Sequence, residues 1–157
     1  MRGARPTRVR RTAALAAAVL LALPAAGRAG EWQRSATEVL LEGTGHGWIV
    51  RATVNGRLAG RFLLDTGATF CVLTPAAAKR LRLQPGADRV TLRTASGVVQ
   101  APKVELASVQ VGSTRAVGVT AVIQPAVDAP LDGIIGLSFL NRFSYAVVPG
   151  RRVLRLQ

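Results

Sequence analysis

The sequence predicts an all-β domain, a compact barrel or sandwich with one or two short helices. Three observations lead there. Short apolar-rich runs dominate the chain beyond residue 47, Gly, Pro and Asn separate them at turn-like intervals, and only one segment carries a clear helix start. The 157 residues, 49% of them hydrophobic, are enough for one domain with a core of its own.

Residues 1–29 carry Arg2, Arg5, Arg8, Arg10, Arg11 and Arg28 without an acid, then an apolar run from Ala13 to Leu23, then Pro24 and small residues. That order of basic, apolar and small zones reads as a secretory signal cut between Ala26 and Ala29. The apolar run is about half the ~20 residues that span a bilayer. A periplasmic or secreted protein with no stable membrane span is therefore expected, an uncleaved membrane anchor being the alternative. Cutting at residue 29 removes six of the 21 basic residues and none of the eight acidic ones, so the net charge falls from +13 to +7. The remaining arginines are scattered and only seven residues are Phe, Trp or Tyr, which reads as a solvated basic face with no nucleic-acid partner. The single cysteine, Cys71, excludes an intramolecular disulfide and reads as a small buried hydrophobe.

Residues 30–46 read as a linker and 47–157 as the domain. "WIVRATVNGRLAGRFLLD" predicts two strands around a type I′ turn at Asn55-Gly56, with Asp65 ending the second. "TPAAAKRLRL" predicts a short helix capped by Thr74, with Pro75 at its first position. "RVTLRTASGVVQAPKVELASVQVG" alternates polar and apolar residues on both sides of Ser96-Gly97, a second hairpin whose tip projects. "STRAVGVTAVI" is a strand, "QPAVDAPLD" a loop, "GIIGLSFLNRF" a buried strand leading into a helical turn, and "SYAVVPGRRVLRLQ" a closing hairpin about Pro149-Gly150.

Two motifs speak to function: "FLLDTGA" (Phe62 to Ala68) and "DGIIGLSFLNRF" (Asp132 to Phe143). Together, in this order over Trp48 to Gln157, they resemble the retropepsin-like aspartic proteases, the single-lobed relatives of pepsin. The resemblance implies a single-lobed acid protease barrel, with Asp65, Thr66 and Gly67 catalytic. It implies a flap-like hairpin whose Thr94, Ala95, Ser96 and Gly97, with Ala68, contact substrate. Thr66 would bond across to its counterpart, Gly67 would turn the backbone so that Asp65 faces its partner, and Gly97 would let the flap bend over an extended polypeptide. Retroviral flaps are richer in glycine than this tip, which offers Gly97 with Ser96 beside it.

The residue types suit the chemistry. Without a metal or side-chain nucleophile, peptide hydrolysis needs a base to deprotonate water and an acid to protonate the amide. Two carboxylates sharing one proton supply both, because like charges about 3 Å apart cannot both ionise. One Asp-Thr-Gly per chain is half of such a dyad, so a two-fold homodimer is expected, with the terminal strands "SYAVV" and "RRVLRLQ" adding interface through open edges. Rival chemistries lack their residues. The only histidine, His46, lies in glycine-rich "GTGHG", which leaves a zinc site without ligands, and no Gly-x-Ser-x-Gly elbow or phosphate-binding loop is present. No cofactor and no metal are expected. Asp128 and Asp132 read as turn formers, Asp132 being the fallback second carboxylate if the site proves to lie within one chain. The expectation is an exported homodimeric aspartic endopeptidase acting on extended polypeptides. The alternative is a non-catalytic peptide-binding module of the cell envelope with the same groove, or an anchored envelope component without a protease role.

Overall fold

The computed structural model describes residues 36–44, 47–94, 97–125 and 130–157. The elements run β1 (Thr37–Leu40), β2 (Glu42–Thr44), β3 (Gly47–Val54), β4 (Leu58–Leu64), β5 (Cys71–Leu73), α1 (Pro75–Arg80), β6 (Arg89–Thr94) and β7 (Gly97–Val111). They continue as β8 (Thr114–Ile123), β9 (Gly133–Ile135), α2 (Leu137–Leu140), β10 (Tyr145–Val148), a 3-10 turn (Pro149–Arg151) and β11 (Val153–Leu156). The all-β expectation with two short helices holds. Among the described residues no helix is long and apolar enough to cross a membrane.

Local chemistry explains several joints. Asn55 and Gly56 both take positive φ (51° and 63°) and Arg57 N donates to Val54 O, the turn that β3 and β4 need to pair from Val54↔Leu58 to Trp48↔Leu64. Thr74 caps α1 by accepting from Ala77 N, with Pro75 at the first position.

Sheet order is β2-β3-β4-β9-β5-β8-β7-β6, and an added β3–β7 pairing (Ala52↔Val111 to Val54↔Val109) closes six of these strands into a barrel. Alternate residues point inward: Val50, Ala52 and Val54 on β3, Phe62 and Leu64 on β4, Val119 and Ala121 on β8, joined by Leu154 and Leu156 of β11 and Phe139 and Leu140 of α2. On β7 the inward set changes parity, from Val104 and Leu106 to Val109 and Val111, across the buried Ser108. Asn55 makes the switch possible: its N–H donates to Ser108 O and its Oδ1 accepts from Ser108 N, so the buried backbone at the bend is satisfied. A smaller apolar cluster of Val72, Ala101, Val122 and Ile134 gathers Leu63, Ala68 and Phe70 together with Val90 and Leu92 of β6.

Two expectations are corrected. The segment read as linker contains β1 and β2, because partners far along the chain receive them: β1 pairs β11 (Thr37↔Leu156 to Leu40↔Val153) and β2 pairs β3. For the same reason β11 has no open edge. Among the described residues it is the middle strand of the sheet β1-β11-β10, whose outer strands are β1 and β10. Residues 1–29, His46, Ala95, Ser96 and Asp128, each given a role above, lie outside the described residues, as does the side chain of Thr94.

Charge holds β1 in place. Glu38 accepts from Arg155 Nε and Arg151 Nη2, each at 2.8 Å. The Arg155 hydrogen bond, joined by the charge of Arg151, holds the Glu38 carboxyl below its usual range. A carboxyl depressed in the folded state stabilises fully above its unfolded pKa, and that contribution fades as pH falls through the folded value. Wild-type Tm should therefore exceed that of Glu38→Gln at pH 6, the gap closing on acidification below the ordinary glutamate value of ~4.3. Parallel Tm curves from pH 6 to pH 3 would show that the pair contributes nothing to stability.

Candidate active site

β4 delivers Asp65 to the end of the barrel, where the parallel pair Leu64↔Ile135 continues as a hydrogen bond from Asp65 N to Ile135 O (3.1 Å). The chain then turns back: Gly67 N donates to Asp65 Oδ1 (2.8 Å) and Ala68 N to Asp65 O (3.3 Å). The first turn of α2 suspends the rest of the loop. Leu137 N donates to Ala68 O (2.8 Å), Ser138 N donates to Thr69 O (3.0 Å), and Ser138 Oγ accepts from Cys71 N (2.8 Å). Gly136 lets these backbones meet, since a Cβ there would strike the carbonyl of Phe70 and lie 2.7 Å from that of Ala68. "DTGA" and "IIG", 66 residues or more apart in sequence, are thus one structural unit.

Asp65 is half-buried and Thr66 and Gly67 are exposed, so the carboxylate stands at an open surface. Ala68 belongs to the apolar cluster that holds Val90 and Leu92, which puts the β6–β7 hairpin on the same side of the barrel as the Asp65 loop. Gly97, at the far end of that hairpin in register with Thr94, is exposed. Two concavities among the described residues, each of about 500 Å³, lie elsewhere. One is lined by Arg51, Arg61, Gln110 and Asp132, the other by Pro75, Lys79, Arg82, Leu83 and Ile123.

Asp132 proves to be a staple and cannot serve as a second carboxylate beside Asp65. Its Oδ2 accepts from Arg61 N (3.1 Å) and its Oδ1 from Arg80 Nη1 (2.8 Å), while its own N–H donates to Arg61 O. Gly60 leaves room for the carboxylate, which a Cβ at that position would strike. Asp132 is thus level with Arg61, four residues before Asp65, which at ~3.3 Å per strand residue is roughly 13 Å away. Asp132→Asn should cost about 1.5–3 kcal/mol of stability by weakening hydrogen bonds to the ionised group, without changing the rate per folded molecule. Thermal melts alongside a rate normalised to folded protein will check it; an unchanged Tm with a lost rate would return Asp132 to the chemistry.

A family model described as Aspartyl protease matches residues 50–139, which include Asp65, the hairpin and Gly136. The chain belongs to the aspartyl protease family. Among solved structures, a retropepsin-like aspartic protease from Rickettsia conorii is similar with a TM-score of 0.57 and 21% identity, over 77% of this chain and 90% of that one. That likeness establishes the retropepsin-like fold. No curated protein matches the chain. Ser138, whose hydroxyl accepts from the loop, escaped the sequence reading because a serine after Gly-Leu carries no local sign of its partner 67 residues away. In this aspartyl protease family member, the Asp65 loop is held by α2 residues that lie far along the chain.

Proposed function

We propose that this chain is an exported aspartic endopeptidase whose active site is an Asp65 dyad formed across a homodimer. The observation that carries the proposal is the placement of Asp65: a carboxylate that accepts from Gly67 N–H, on a loop tied by backbone hydrogen bonds at an open end of the barrel, with Asp132 too distant to share its proton. Two such surfaces related by a two-fold axis would bring the carboxylates together and build a cleft between subunits.

In the assembled site the ionised member of the pair takes a proton from water while the protonated member gives one to the scissile amide. Gly67 N–H, already bonded to Asp65 Oδ1, holds the carboxylate orientation, and Thr66 braces one loop against the other. An extended polypeptide lies between the Asp65 loops and the β6–β7 hairpins, with Ala68 and the residues near Gly97 against it. Export rests on the signal-like order of residues 1–29 and places the enzyme in the periplasm or outside the cell.

The decisive experiment incubates the purified mature protein with a diverse peptide library from acidic to neutral pH and reads the products by mass spectrometry. Cleavage blocked by pepstatin-type inhibitors, with a bell-shaped rate profile peaking on the acidic side, is the expected result. Tight peptide binding without any cleavage would replace the endopeptidase with a peptide-binding module, and N-terminal sequencing of exported material that begins at Met1 would overturn signal cleavage.

A further inference from the structure

Gly118 takes the left-handed conformation (φ +59°) inside β8, and the ladder with β7 is interrupted there. Leu106 pairs with Val119 and Ser108 with Val117, while Ala107 and Gly118 form no pair. In an extended strand successive carbonyls point to opposite sides; a left-handed residue turns the following peptide and undoes that alternation. Both carbonyls go to one side chain. Arg142 Nη1 donates to Val117 O (2.8 Å) and Nη2 to Gly118 O (2.6 Å), while Nε donates back to Ser138 O (3.3 Å). The planar guanidinium thereby ties β8 to α2 with a fork that lysine cannot reproduce.

α2 has four residues, too short to hold its own geometry. Phe139 and Leu140 bury it in the core, and the Arg142 fork sets how it is turned against β8. That setting reaches the aspartate loop, because Leu137 N, Ser138 N and Ser138 Oγ are the groups from which residues 68–71 hang.

We propose that Arg142 and Gly118 are a positioning pair for Asp65: the interrupted strand offers two carbonyls, the arginine locks α2 onto them, and α2 holds the catalytic loop in register. The proposal rests on the aspartic endopeptidase reading for its kinetic consequence and on the hydrogen bonds alone for its structural one.

The test uses the mature protein and the variants Arg142→Gln, Arg142→Lys, Gly118→Ala and the double variant Arg142→Gln/Gly118→Ala, with Asp132→Asn as a control that weakens the fold elsewhere. On a peptide the wild type cleaves, Arg142→Gln should lower kcat about ten- to a hundredfold, the size expected of a displaced catalytic group, with little change in KM. Arg142→Lys should recover part of the loss and remain folded if the glutamine variant does not. The double variant should lose no more than the worse single one, since both remove the same link. Independently of turnover, the Gly67 amide resonance, whose N–H donates to Asp65 Oδ1, should shift in the Arg142 variants and stay in place in Asp132→Asn. An unchanged kcat in Arg142→Gln, additive losses in the double variant, or an unmoved Gly67 resonance would overturn the pair. A wild type that cleaves nothing would remove the endopeptidase reading, and the Gly67 resonance would still decide whether Arg142 positions the loop.

Discussion

Asp65→Asn is expected to lower peptide cleavage by at least about 10²–10⁴-fold, the range of a lost general acid or base, while the melting temperature and the proposed dimer remain as in the wild type. Asparagine keeps the shape of the side chain and can still accept from Gly67 N–H, so the loop hung between Ile135 O and α2 has no reason to move. Only the titrating group is gone. The same variant tests the shared site. Under exchanging conditions, excess Asp65→Asn added to wild-type enzyme should draw activity towards zero, as each wild-type chain is captured by a partner that cannot complete the dyad. Activity that stays full in that mixture, or a catalytically competent monomer in analytical ultracentrifugation, would refute the two-chain site.

Gly133→Ala should have the largest effect on stability. Gly133 lies between two strands, paired with Phe62 of β4 on one side and Leu73 of β5 on the other. A Cβ there would run into the backbone carbonyl of Val72 and lie 3.2 Å from Leu73 Cα. The obstruction is backbone held in the barrel on both sides, so no side chain can swing away to relieve it. Overpacking of this kind costs about 3 kcal/mol or more where nothing can yield. At roughly 2–8 °C per kcal/mol, a fall in Tm of about 6 °C or more follows. Thermal denaturation followed by circular dichroism will measure it; a Tm within about 3 °C of wild type would mean that β5 and β9 can separate more easily than their pairing implies.

How much of this was legible beforehand depended on whether the cause was local. The Asn55-Gly56 turn, the Thr74-Pro75 helix start and the hairpin around residues 94–97 each rest on residues within a few positions of one another, so their chemistry can be read directly. The aspartate at the end of a core strand was legible too, because Phe62-Leu63-Leu64 carries the strand up to it and Thr66-Gly67 turns it away. β1 and β2 escaped detection because runs of four and three residues have no strand signal of their own and owe their conformation to β11 and β3.

By itself, then, the sequence determined which residues are the candidates for the chemistry and on what kind of element they stand: Asp65, Thr66 and Gly67 after a buried strand, with Ile134-Ile135-Gly136 as the second motif. Only the tertiary structure decided how they are held. It paired Leu64 with Ile135, closed β3 onto β7, made β11 a central strand, assigned Asp132 to Arg61 and Arg80, and aimed two carbonyls of an interrupted strand at Arg142. The physical reason is separation along the chain. Arg61 and Asp132 are 71 residues apart and Cys71 and Ser138 are 67 apart, so no propensity or spacing records their hydrogen bonds, which exist only once the barrel has brought their backbones together.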